Sequence, residues 1–352
     1  MRVTEDALLK MPKTDLHCHL DGSLRLETLL ELAEKQKIKL PAEDKDSLAQ
    51  HVIMSTETCK SLDEYLKAFS ITLSVMQTQE ALSRIAYELL EDCSRENVWY
   101  VEVRFSPILH QDKGMKLINI LNAVIEGLAR GEQDFGVKWG IIICGIRHMN
   151  PELSLKLAEL CIAYKYRGVV GFDLAGSEED HPAKEHMKAF YMIINNNINC
   201  TVHAGESFGP ESIHQALHYL HTHRLGHAVR LKESGDLLNY VNDHRIPLEL
   251  CLTSNVHTGA VNDYEHHPLR FYYDYGLRVT INTDNRLMSN TTMTQELYLA
   301  AKHLNFTLEE IKNLIIFGFK STFLAYHHKV KLLNAAILSI DEIIKVKPED
   351  RL

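Results

Sequence analysis

No apolar run in the chain approaches the ~18 residues that a membrane-spanning helix needs. The opening segment "MRVTEDALLKMPK" lacks the apolar core of a secretory signal. Positive charge is scarce. The 352 residues carry 38 Lys and Arg against 47 Asp and Glu, a formal net charge of -9. That balance argues against an anionic membrane surface or a nucleic-acid backbone as partner, because like charges repel. No two cysteines form a C-x-x-C, and their number, seven, is odd. Reduced, buried thiols in a cytoplasmic protein are therefore expected rather than a disulfide framework. There is no Gly/Pro/Ser-rich linker and no low-complexity tract, so one domain spanning 1–352 is expected, with "IIKVKPEDRL" as a frayed tail.

What the chain does contain is a series of short β-rich runs. They are "TDLHCHL" (14–20), "VWYVEVRFS" (98–106), "VKWGIIICGI" (137–146), "GVVGFDLAG" (168–176), "NCTVHAGE" (199–206), "RLGHAV" (224–229), "IPLELCLTSN" (246–255) and "LRVTINTDN" (277–285). Most are apolar on both faces, as strands of a buried parallel sheet must be. Helical patterns separate them. Asn150 and Pro151 read as the N-cap and first position of one helix. Ile213, Ala216, Leu217 and Leu220 share a face of another. This alternation predicts a (β/α)8 TIM barrel. The open doubly wound alternative normally carries G-x-G-x-x-G after its first strand, and here "HLDGSLRLE" follows instead. The gap between the first two runs is too long for one helix. It predicts a helical cap insertion at about 24–96, in which Leu62, Leu66, Phe69, Leu73 and Met76 recur at helical spacing, either for apolar contacts of the cap's own or as a lid that excludes water from the barrel mouth, or for both.

Barrel active sites lie at the C-terminal ends of the strands. There the first run carries His17, His19 and Asp21. The fifth carries His203 and Glu206, the sixth His227, and the eighth Asp284 and Asn285. Side chains alternate along a strand, so His17 and His19 point into the barrel and Cys18 points away, as a structural thiol. Joined by His203 and Asp284, the pair makes a three-imidazole, one-carboxylate set that suits zinc with a position open for water.

The segments "MPKTDLHCHLDGSLR", "DLAGSE", "TVHAGE", "RLGHA", "LELCLTSNVHTG" and "INTDN" occur in order, and with them the chain resembles the adenosine deaminase family of the amidohydrolase superfamily. The resemblance runs from about residue 10 to residue 330. It implies zinc-dependent hydrolytic deamination of a purine 6-amino group, with a small purine nucleoside as substrate. One zinc ion would be held by His17, His19, His203 and Asp284. Two-metal relatives use a lysine after the fourth strand, and "FDLAGSEED" has none. His227 would orient the attacking water and accept or stabilise its proton. Glu206 would protonate purine N1, which requires a pKa raised by burial. The Gly176 backbone N–H would approach N3. Asp21 would contact the ribose 5′-hydroxyl and disfavour a 5′-phosphate, which points to a nucleoside. The departure is Asn285, where the best-known members have a second aspartate. Its amide can donate to N7 without a proton of its own.

The adenosine and 2′-deoxyadenosine reading has neighbours. They are a deaminase of another 6-aminopurine, such as adenine or 6-aminodeoxyfutalosine, a non-catalytic nucleoside-binding barrel, and an amide or ester hydrolase. His214, His218 and His221, and the histidines of "EHHP" (265–268), read as surface residues. Asp173 reads as a backbone anchor. Ser254, Asn255 and Thr258 read either as substrate contacts or as loop structure.

Overall fold

The computed structural model describes residues 3–57, 59 and 61–345. Most of the predicted tail, residues 346–352, lies outside the described residues, after a helix that ends at Lys345. The eight strands are β1 (Lys13–His19), β2 (Val98–Phe105), β3 (Lys138–Ile146), β4 (Val169–Ala175), β5 (Asn199–Ala204), β6 (Arg224–His227), β7 (Leu248–Leu250) and β8 (Val279–Ile281). They pair in sequence order, each parallel to the next. The ring closes beyond the end of β8. There Asp284 bridges to Cys18, its N–H donating to the His17 carbonyl and its carbonyl accepting from His19 N–H, both at 2.7 Å. Among the described residues no helix is long and apolar enough to cross a membrane. All seven cysteines are free and buried.

Between β1 and β2 the chain forms helices Leu26–Gln36, Lys45–Val52, Leu62–Lys67, Phe69–Val75 and Gln79–Arg95. Of the expected stripe only Met76 is fully buried. Tyr65, Ala68, Thr72, Val75 and Met76 are the buried positions of the third and fourth helices, while Leu62, Leu66, Phe69 and Leu73 are half-buried. Leu62, Leu66 and Phe69 line a pocket at the barrel mouth, where a lid would lie, and Phe69 also packs against the core. Helical periodicity identifies an apolar face but not what that face covers.

The seventh run is also corrected. The strand stops at Leu250, and Leu252–His257 is helical. A tertiary contact supports the turn, because buried Glu296 accepts from both the Thr253 N–H (3.2 Å) and the Thr253 hydroxyl. Ser254 and Asn255 therefore stand on a short helix rather than an extended strand.

Beneath the mouth the barrel interior holds charge. Arg104 donates to Asp173 Oδ2 (3.1 Å), Glu249 Oε2 (2.8 Å) and the Leu16 carbonyl (2.6 Å). Arg224 bonds Glu249 Oε1 (2.6 Å) and Glu102, and its guanidinium sits 3.5 Å over the Phe323 ring. All five charged side chains are buried. Removing one partner of such a set strands the others in a low-dielectric interior. Arg104→Met is expected to cost about 3–5 kcal/mol of unfolding free energy, read from urea denaturation; a loss under about 1 kcal/mol would show that the layer does not act as a unit.

Candidate active site

His17 and His19 alternate with Cys18 along β1, so the two rings share the barrel side. Cys18 Sγ lies 3.5 Å from Ser23 Oγ, away from them. His203 reaches the same point from β5, and Asp284 from the closing bridge. The Nε2 atoms of His17 and His19 are each 3.1 Å from His203 Nε2, and 3.3 and 3.4 Å from Asp284 Oδ1. Ligand atoms of His17, His203, His227 and Asp284 all fall within 4.8 Å of one another. Five groups thus crowd one spot, and His19, outside that foursome, is bound to it by its 3.1 Å approach to His203.

The charged layer orients two of the rings. His17 Nδ1 is 2.9 Å from Glu249 Oε2, and His203 Nδ1 is 3.0 Å from Asp173 Oδ2. A carboxylate can only accept, so each Nδ1 carries a proton, and in the neutral ring that metal binding requires each Nε2 keeps its lone pair. Lone pairs converging at 3.1 Å repel unless a cation lies among them. Tetrahedral ligands at ~2.0–2.1 Å from an ion would stand about 3.3 Å apart, close to the observed spacing. The cluster can therefore hold a divalent metal. Burial alone would raise the Asp284 pKa, but the imidazoles crowded against it hold it well below the usual carboxylate range. Ser254 Oγ donates to its other oxygen at 2.5 Å.

Glu206 follows β5 by two residues. Its loop is pinned by Glu178, whose carboxylate accepts from three successive N–H groups, those of Gly205 (2.8 Å), Glu206 (2.8 Å) and Ser207 (2.9 Å). Thr258 donates to Glu206 Oε1 at 3.1 Å, and His227 Nε2 lies 3.5 Å from Oε2. Burial pushes the Glu206 pKa well above the carboxylate range, and the negative charges of Asp284 and Glu178 add to the effect. His227 itself is held well below its ordinary value by burial and by the charge of His17. Both His227 and Asp284 sit in left-handed backbone, at φ 61° each. That conformation costs a non-glycine residue about 1–3 kcal/mol and persists where the surroundings over-determine it.

His19, His203, Glu206, His227, Asp284, Asn285 and Gly176 line one pocket, roofed by Leu62, Tyr65, Leu66 and Phe69. Gly176 has φ 99°, which excludes a side chain. Asn285 is buried against Gly22, where an added Cβ would fall 1.9 Å from Asn285 Oδ1. Asp21 is buried too but does not line the pocket. Its Oδ1 has no hydrogen-bond partner among the described residues, and burial raises its pKa to about 7. Next to the pocket, sharing Leu62, Glu206 and Thr258, is a polar cleft of about 540 Å³.

Reading the strand ends alone misses Glu249, Arg104 and Glu178. Glu249 and Glu178 stand in motifs that match, "LELCLTSN" and "DLAGSE", but only the folded barrel shows what they touch. Asp173 anchors a ring, not backbone alone. Ser254, Asn255 and Thr258 bond to Asp284, His227 and Glu206 respectively. His214, His218 and His221 are exposed as expected, but of the "EHHP" pair only His266 is; His267 is buried.

A closed parallel barrel with this cluster at its C-terminal rim is the build of a metal-dependent amidohydrolase. Within that class the chain belongs to the adenosine deaminase family, whose profile matches residues 12–338. An adenosine deaminase of Clostridium acetobutylicum is 39% identical over 330 residues, covering 94% of this chain and 98% of that protein. A probable adenosine deaminase of Dictyostelium discoideum is 42% identical over 322 residues, covering 92% of this chain; the chain spans only 42% of that longer protein. Among solved structures, an adenine deaminase from Arthrobacter aurescens superposes with a TM-score of 0.88 at 26% identity, covering 96% of this chain and all of that one. The N6-methyl-AMP deaminase of Arabidopsis thaliana gives 0.85 at 26%, with the same coverage of both chains.

If Glu249 sets the His17 tautomer, Glu249→Gln is expected to weaken metal affinity about 10- to 100-fold. Competition with a chelator measures it, and unchanged retention would remove Glu249 from that role.

Proposed function

We propose that the protein hydrolyses the 6-amino group of adenosine and 2′-deoxyadenosine, giving inosine or 2′-deoxyinosine and ammonia, as a step of purine salvage. One zinc ion per chain, held by His17, His19, His203 and Asp284, is the cofactor this donor set suits best. When bound, the ion supplies Lewis acidity, which makes water nucleophilic near neutral pH. Buried free cysteines favour a reducing compartment, the cytoplasm.

The observation that carries the reading is Glu206: a buried carboxyl, beside the cluster, whose surroundings favour the protonated form. In that state it donates to purine N1 and makes C6 electrophilic. His227 sits between Glu206 and the cluster and holds the attacking water. The Gly176 N–H meets N3, and the Asn285 amide donates to N7. The cap side chains Leu62, Tyr65, Leu66 and Phe69 exclude bulk water. Asp21 takes the ribose 5′-hydroxyl on its unpartnered oxygen. A buried carboxyl with a raised pKa is a poor site for more negative charge, which disfavours nucleoside monophosphates. Relatives near 40% identity carry the adenosine deaminase name, whereas the adenine and N6-methyl-AMP deaminases are 26% identical.

An ultraviolet assay over adenosine, 2′-deoxyadenosine, adenine, AMP and N6-methyl-AMP tests the substrate. The two nucleosides are expected to turn over fastest; no adenosine turnover beside rapid turnover of another compound would overturn the choice.

Glu206→Gln is expected to lower kcat about 100- to 10,000-fold with the metal retained. An acid that must be protonated supports activity below its own pKa, and burial raises that pKa above the ordinary carboxylate range. The wild-type kcat/KM should therefore fall as pH rises through the Glu206 pKa, and that limb should vanish in the variant.

Asn285→Asp should add a new loss of rate with rising pH, since a carboxylate cannot donate to N7. A pH–rate profile identical to wild type would remove Asn285 from that contact.

A further inference from the structure

His267 lies outside the pocket, in the segment "HHP" that precedes the helix Leu269–Tyr275. It is nonetheless two hydrogen bonds from His227. The Leu269 backbone N–H, which can only donate, points at His267 Nδ1 at 3.1 Å. That nitrogen therefore carries a lone pair, and the proton of the ring is on Nε2. His267 Nε2 lies 3.2 Å from Asn255 Oδ1 and donates to it. This sets which way the amide faces. The other end of the amide, Asn255 Nδ2, lies 3.0 Å from His227 Nδ1 and donates in turn. His227 Nδ1 must then hold a lone pair, and the His227 proton is on Nε2, the nitrogen that faces Glu206 and the cluster.

Every participant is held in place. Asn255 is on the short helix Leu252–His257, with its N–H on the Cys251 carbonyl (2.9 Å) and its carbonyl accepting from Val261 (3.0 Å). Asn255 and His267 are buried, so water does not compete for their polar atoms. Burial also drives the His267 pKa down to about 3, which agrees with a neutral ring.

We propose that His267 is a positioning residue which, through Asn255, fixes His227 as an N–H donor at Nε2. The proposal rests on the reading of His227 as the group that holds the attacking water, and it sharpens that reading. A ring nitrogen that bears a proton cannot ligate a metal, so the relay separates His227 from the ligand set and leaves the fourth place to His19. It also makes His227 a donor to the oxygen of the attacking water rather than the acceptor of its proton. A relay that begins at a backbone N–H cannot reverse without breaking a hydrogen bond, because that donor has no second tautomer.

The test reads the tautomer directly. In the metal-loaded full-length protein labelled with 15N-histidine, two-bond 1H–15N spectra distinguish protonated from unprotonated ring nitrogens. The His227 signals are identified by their loss in His227→Gln. Wild type is expected to show His227 protonated at Nε2 and bare at Nδ1. His267→Leu removes the first donor, so His227 should pass to the Nδ1-protonated form or a mixture of the two. Asn255→Asp places an acceptor where the donor was and should force the Nδ1-protonated form even if His267→Leu does not fold. In both variants kcat should fall about 10- to 100-fold with KM little moved. A wild-type His227 protonated at Nδ1, or an unchanged tautomer in the folded variants, would overturn the proposal, as would failure of both variants to fold, which would make the relay purely structural. Because the tautomer is read without turnover, a wrong substrate assignment would not alter this outcome.

Discussion

The site depends on how the barrel closes. Asp284 meets β1 through two 2.7 Å hydrogen bonds, one to the carbonyl of His17 and one from the N–H of His19. A single main-chain bridge thus sets the positions of three of the four proposed ligands. Asp284 is in left-handed backbone there, and neighbours over-determine it. Thr283, the residue before it, is tied to buried Asp15 by its N–H (3.3 Å) and its hydroxyl (2.5 Å). Two residues further on, the Arg286 guanidinium pairs with Glu96 and the Arg286 N–H donates to Ser23 Oγ at 3.1 Å. Strain at the functional residue is balanced by ordinary hydrogen bonds on both sides of it.

The charged layer below follows from the same requirement. Buried ion pairs contribute little net stability, because desolvation offsets their attraction. This one does something an apolar layer could not. Glu249 and Asp173 accept from the Nδ1–H groups of His17 and His203, while Arg104 pairs with both carboxylates. The result is a set of imidazole lone pairs aimed at one point, poorly balanced without a positive ion and well suited to one. Affinity for the metal is in that sense prepared by residues that never touch it.

Much of the fold was legible in the chain. β1 to β5 lie within a residue or two of the β-rich runs, because strands buried on both faces are marked by their composition. The two-residue period was enough to separate His17 and His19 from Cys18. Legibility failed where distant contacts overrule local pattern. "CLTSN" looks extended but is helical in a fold that brings Glu296 to Thr253. His267 sits in a polar, histidine-rich segment that reads as surface, yet packing buries it beside Asn255.

By itself, then, the sequence determined the class of fold, the residue types at the strand ends and the family, since each depends on spacings of a few residues or on ordered motifs. The tertiary structure decided which carboxylate holds which ring, and so which nitrogen of His17 and His203 bears a proton, and which five groups crowd one spot. The reason is distance along the chain. His17 and Glu249 are 232 residues apart, and Leu16 and Asn282, whose side-chain oxygen accepts the Leu16 N–H at 2.9 Å, are 266 apart. No local rule reaches that far; only closing the barrel brings such partners within a hydrogen bond.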